Sequence, residues 1–177
     1  LTQAPKLPAT TLNDVCYSYM FKGCTSLTQA PELPAIIATR GCYYGMFSGC
    51  TSLTQAPKLP ATTLSDEALY SGVGCYSNMF ENCTSLTQAP ELPSTTLGYG
   101  CYSYMFKGCK SLTQAPELPA TTLAKHCYQS MFSNCTSLTQ APGLPAMTLA
   151  ESCYSWMFDG CVGLIQAPEL PATKLEI

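Results

Sequence analysis

The sequence predicts an α/β repeat solenoid, a coil with one short parallel strand and one short helical segment in each 26-residue turn. Three observations carry this. Cysteines come in pairs with the second eight positions after the first, the pairs recur every 26 residues but for one longer gap, and all 14 prolines and all 6 phenylalanines fall on fixed positions of the same unit.

The first cysteines are Cys16, Cys42, Cys75, Cys101, Cys127 and Cys153, with successive gaps of 26, 33, 26, 26 and 26. The second cysteines, Cys24, Cys50, Cys83, Cys109, Cys135 and Cys161, keep the same gaps. Residues 1–177 therefore read as a single solenoid. It has six full Cys-pair units, a partial unit at the N-terminus and a seven-residue insertion within 65–74. Both cysteine columns resume in phase after the insertion, so it is expected to bulge from one edge at little cost.

Within a unit, "CYxxMFxxC" places Cys and Met four apart, and Tyr and Phe four apart, which is the apolar stripe of a short helix. "LTQA" follows as a short extended segment, stopped by a proline that cannot donate to a ladder. "LPATTL" then carries the chain back, its proline favouring an extended path. Burying one Met, one Phe and three Leu contributes roughly 7–15 kcal/mol per turn, whereas ordering its backbone costs roughly 25–50 kcal/mol. One turn cannot fold alone. Stability has to come from stacking identical turns in register.

Composition excludes several functions. Only 11% of residues are charged, the net charge is −3, and the charges are scattered singly, which leaves no footprint for nucleic acid or anionic lipid. No apolar run approaches the roughly 20 residues that span a bilayer, so membrane insertion by this segment is not expected. The chain opens inside a motif, at "LTQAP", which predicts a piece of a longer protein.

The 12 cysteines admit three readings. An intra-unit disulfide conflicts with a helix, which would hold the sulfurs about 12 Å apart along its axis, when a disulfide needs Cα atoms within about 7 Å. Metal binding conflicts with the spacing, which matches no zinc pattern, and with His126 being the only histidine. Two columns of small buried thiols fit best. No C-x-x-C occurs to suggest redox catalysis. Acids such as Asp14, Asp66, Glu67, Glu81, Glu151 and Asp159 occupy variable positions and read as unpaired solvated charge. No enzyme, cofactor or metal site is expected.

Three columns should be exposed. Gln3, Gln29, Gln55, Gln88, Gln114, Gln140 and Gln166 should face outward from the strand, as a stacked amide ladder or as ligand contacts. Lys6, Glu32, Lys58, Glu91, Glu117, Gly143 and Glu169 alternate in sign at the N-terminal end, which suggests weak rung-to-rung pairing there. Tyr19, Gly45, Asn78, Tyr104, Ser130 and Trp156 vary while their neighbours do not. Tyr19, Tyr104 and Trp156, with Gln29, Gln55, Gln88, Gln114 and Gln140, are the candidate ligand-binding residues.

The order "MFxGCTSLTxxPxLP", carried by Phe21-Lys22-Gly23-Cys24-Thr25-Ser26-Leu27-Thr28 and its five copies, closely resembles the BspA-like leucine-rich repeats of bacterial surface proteins. Two positions depart from that pattern: Met20 and its equivalents stand where Ala is frequent, and "LTQAPELP" carries a charged or Gly residue where an inward aliphatic is usual. The resemblance implies a leucine-rich-repeat-like right-handed coil with parallel strands on one face and helical turns on the other. It also implies an extracellular or bacterial cell-surface setting. The expected function is a non-enzymatic, monomeric scaffold that binds or adheres to a host or matrix protein, or a glycan, over an extended face. The alternatives are a structural stalk for another domain and a Thr/Gln array that binds an ordered surface such as ice.

Overall fold

A computed structural model of the chain describes residues 1–64 and 73–175. All but Val73 and Gly74 of the expected insertion within 65–74 therefore lies outside the described residues.

The helical segment expected at "CYxxMFxxC" is not formed, and no α-helix occurs among the described residues. The segment is a run of β-turns with a division of labour between alternate N–H groups. Met20 donates to the Tyr17 carbonyl at 3.3 Å, Lys22 to Tyr19 at 3.0 Å and Cys24 to Phe21 at 3.0 Å, each closing a four-residue turn. The intervening groups donate to the next rung of the coil: Tyr17 to the Cys42 carbonyl at 2.9 Å, Tyr19 to Tyr44 at 2.7 Å, Phe21 to Met46 at 2.9 Å and Gly23 to Ser48 at 2.7 Å. An α-helix would spend its interior N–H groups on itself and leave none to bind adjacent turns.

This geometry puts every fourth residue in the left-handed region, as at Val15, Tyr19 and Gly23, with φ of 60°, 56° and 73°. The apolar stripe has a period of four in this run just as it approximates one helix face, so that spacing does not separate the two structures. The residue before each second cysteine does. It is Gly23, Gly49, Asn82, Gly108, Asn134 or Gly160, all with positive φ and of the two types that occupy that region most readily.

Extended pairing is also shorter and placed differently than expected. At "LTQA" it is reduced to single parallel bridges, Gln3 to Gln29, Gln29 to Gln55, Gln55 to Gln88 and Gln114 to Gln140. The two prolines that follow each Gln within five residues remove the donors that would lengthen it. Two-residue strands form instead on the return path. β1 (Ile37–Ala38) pairs in parallel with β2 (Thr63–Leu64), and β3 (Thr148–Leu149) with β4 (Lys174–Leu175).

One contiguous core runs through the coil. Tyr43, Tyr76, Tyr102 and Tyr128 form one ring stack, with centroids 5.5–5.8 Å apart and planes within 5°. Phe47, Phe80, Phe106 and Phe132 form a second, at 5.6–5.7 Å. Internal copies of Met, Phe and the Leu before each Thr-Gln are fully buried, whereas Met20 at the N-terminal end is 45% exposed. That gradient is what a rod of mutually covering turns requires.

Candidate binding face

Most side chains that could do chemistry are engaged in structure, whereas Cys16 on the first rung is exposed. No disulfide joins any of the twelve cysteines, and those from Cys42 onward are buried. Burial pushes the Cys42, Cys127 and Cys135 thiols up to about 12 and Cys50 to about 11, so none of these four is a ready nucleophile. Burial likewise holds the phenols of Tyr76 and Tyr102 protonated well above their ordinary value. His126 Nδ1 lies 3.0 Å from Gln129 Oε1, with its ring 5.1 Å from that of Tyr99. No cluster of three or more potential metal ligands occurs among the described residues.

Three of the acids expected to stand alone, Asp14, Glu81 and Glu151, are paired from rung to rung, while Asp159 enters no ion pair among the described residues. Asp14 binds Arg40 at 3.1 Å, Glu81 lies 3.8 Å from Lys107, and Glu151 binds Lys125 at 2.8 Å. Residues one rung apart in the same column meet directly, which single positions along the chain do not reveal. Asp66 and Glu67 lie outside the described residues. The alternation expected to pair Lys6, Glu32 and Lys58 does not, since the three ion pairs among the described residues are those above.

The variable aromatics occupy a left-handed backbone position: φ is 56° at Tyr19, 58° at Tyr104 and 57° at Trp156, and equally positive at Gly45, Asn78 and Ser130. The column's variety follows in part from that backbone, which favours Gly and Asn over any large side chain. The three aromatics have different surroundings. Tyr19 meets Tyr44 edge-on at 4.9 Å, lies over the Cα of Gly45 and carries Lys22 Nζ 4.4 Å from its ring centre. Tyr104 is half-buried, with Lys107 Nζ at 5.3 Å, and Trp156 is 74% exposed on the last Cys-turn. They stand on rungs one, four and six and form no continuous patch.

The glutamines do form a continuous series. Gln29, Gln55, Gln88, Gln114 and Gln140 are all exposed, and four bridges run along their column, starting from Gln3. Their amides enter no side-chain hydrogen bond among the described residues, so the expected amide ladder is not made. The rungs are held instead by the neighbouring threonines, for example Thr28 Oγ1 donating to the Thr2 carbonyl and Thr87 Oγ1 to Thr54, both at 3.3 Å. Shallow hollows open between these rungs. One lies against Thr28, Gln29, Thr54, Gln55 and Pro57, and another against Thr139, Gln140, Ile165, Gln166 and Pro168. A third, of about 360 Å³, lies at the N-terminal end between Gln3, Lys6, Gln29 and Glu32. The fourth is larger, about 670 Å³, and lies around Gly143 toward the C-terminal end.

Serially repeated turns, a shared core and a periodic polar face define a repeat scaffold. The family model for the BspA type leucine rich repeat region matches residues 74–174 in six copies, more than half of the chain. The chain belongs to that family, which is associated with bacterial surface proteins and is generally non-enzymatic. Neither curated proteins nor solved structures give a significant match. No helix among the described residues is long and apolar enough to cross a membrane.

Proposed function

We propose that this chain is a non-enzymatic binding scaffold of a bacterial surface protein, and that it takes an extended protein or glycan along the Gln–Pro face. One observation carries the reading: five exposed glutamines, in series on successive rungs, whose amides enter no side-chain hydrogen bond among the described residues. Each amide offers donors and an acceptor to a ligand. Walls of proline and alanine between the rungs supply apolar contact.

A single amide hydrogen bond contributes roughly 0.5–1.5 kcal/mol net, too little to hold a ligand. Affinity therefore has to accumulate over several rungs, as multivalent contact does. A ligand with its own linear repeat, a polysaccharide or an extended polypeptide, meets that requirement, and a compact small molecule does not.

The test is a panel of matrix proteins and glycans immobilised and probed with the purified chain. The reading expects a hit whose affinity rises with ligand length and falls progressively as the ligand is shortened. Failure of every extended ligand to bind would leave the chain a stalk.

A further inference from the structure

The charged column of the same face contains one position without a side chain, Gly143, between Glu117 and Glu169. Glycine there answers no structural demand. Its φ lies outside the left-handed region, and a Cβ added to it would meet nothing within 4 Å. Other glycines in this chain differ: Gly23 needs its positive φ of 73°, and a Cβ on Gly74 would run into the backbone at Gly100. The missing side chain leaves open the middle of a hollow that spans three rungs, from Glu117 through Gly143 to Glu169, whereas the one flanked by Lys6 and Glu32 spans two.

The walls of that hollow are Pro119, Pro142, Pro145 and Pro168, with Leu118 and Leu144 beneath and the two glutamates at its sides. Glu117 and Glu169 are exposed, and neither belongs to the three ion pairs among the described residues. Two rungs separate them, about 10 Å at the usual strand spacing, so flexible carboxylates on either side can converge on one charge.

We propose that the Gly143 hollow receives a lysine or arginine side chain from an extended basic segment of a protein partner. The proposal rests on the binding reading of this face and names the partner's chemistry. An aliphatic stem lies along the prolines while its charged head reaches the carboxylates. An anionic polysaccharide would be repelled, and an amino sugar, whose ammonium sits directly on a polar ring, would leave the apolar walls uncovered.

The experiment is an NMR titration of the 15N-labelled full chain with an acetylated, amidated (Ala-Lys)4 peptide, with (Ala-Gln)4 as control. The lysine peptide is expected to move the amides of 117–119, 141–145 and 168–171, and the glutamine peptide to move them much less. Gly143→Lys, which fits the open space and should leave thermal unfolding unchanged, is expected to weaken the lysine peptide at least about fivefold. Glu117→Gln with Glu169→Gln should do the same, while Glu91→Gln, outside the hollow, should not. Shifts spread equally over Asp14, Glu32 and Glu91, indifference to Gly143→Lys, or absence of any shift would overturn the proposal. Equal binding of both peptides at these residues would also overturn it, while leaving the binding role of the face intact. Failure of that role itself is read separately, in the panel of extended ligands.

Discussion

The Cys109 thiol donates to the carbonyl oxygen of Phe80, 3.1 Å away on the preceding rung. The same carbonyl accepts the Cys83 N–H at 3.0 Å, so one oxygen ties a turn to itself and to its neighbour. The pair recurs at Cys50 and Phe21, Cys83 and Phe47, Cys135 and Phe106, and Cys161 and Phe132, at 2.9–3.1 Å. The second cysteine column thus supplies a donor as well as a small buried volume, a role that alanine cannot take.

Cys109→Ala is expected to cost about 1 kcal/mol through loss of that bond, with a small further term for the lost sulfur. Cys24 sits on the first rung, only half-buried and with no phenylalanine carbonyl before it, so Cys24→Ala should cost much less. Urea unfolding of the two variants measures the difference. Equal costs would reduce the column to spacing alone.

Buried thiols also set a pH dependence. Cys42, Cys127 and Cys135 are raised from 9.0 to about 12 in the folded chain, and Cys50 from 9.0 to about 11, chiefly by burial. The folded state holds these protons more tightly than the unfolded one. The resulting stability is fully present below pH 9 and is lost as pH rises from there toward 12. Thermal melts from pH 7 to 11 should be flat at first and then fall steeply above 9. A melting temperature unchanged at pH 10.5 would mean that the thiols are accessible.

Trp156 holds a left-handed φ of 57° while 74% exposed, so its backbone is penalised with little burial to offset the cost. Asn78 occupies the same column position with the same φ of 57°. Trp156→Asn should therefore leave stability unchanged or raise it by up to about 1 kcal/mol. Chemical denaturation reads this directly, and a loss of more than about 1 kcal/mol would show that the indole is packed against the coil.

Much of this architecture is legible in the letters because a repeat displays its core many times over. The Phe, Tyr, Met and Cys columns, their burial and the need for stacking follow from fixed spacing and from the shortfall in the energy of one turn. The local backbone is not given by spacing, since Cys-to-Met and Tyr-to-Phe separations of four suit a helix and a run of turns alike. Gly23, Asn82 and their equivalents before the second cysteine carry the missing signal, because a left-handed residue every fourth position is incompatible with a helix. The free amides of the Gln column were not legible either. Whether Gln55 binds its neighbour or faces a ligand depends on which groups hold the rungs, and the Thr hydroxyls and backbone bridges already do so. Pairs such as Asp14 and Arg40 are visible only once positions are aligned by column.

The central claim, that recognition lies on the Gln column, is tested most directly by comparing two variants against a ligand identified in the panel. One replaces Gln55, Gln88, Gln114 and Gln140 with Ala, and the other replaces Tyr19, Tyr104 and Trp156 with Ser. Surface plasmon resonance on both, with unfolding curves to show that each is folded, gives the answer in one experiment. The glutamine variant should lose at least about tenfold in affinity, as four summed contacts require, while the aromatic variant stays within about twofold. The opposite pattern, tenfold loss from the aromatic variant and none from the glutamine variant, would contradict the account and move the site to the Cys-turn side of the rod.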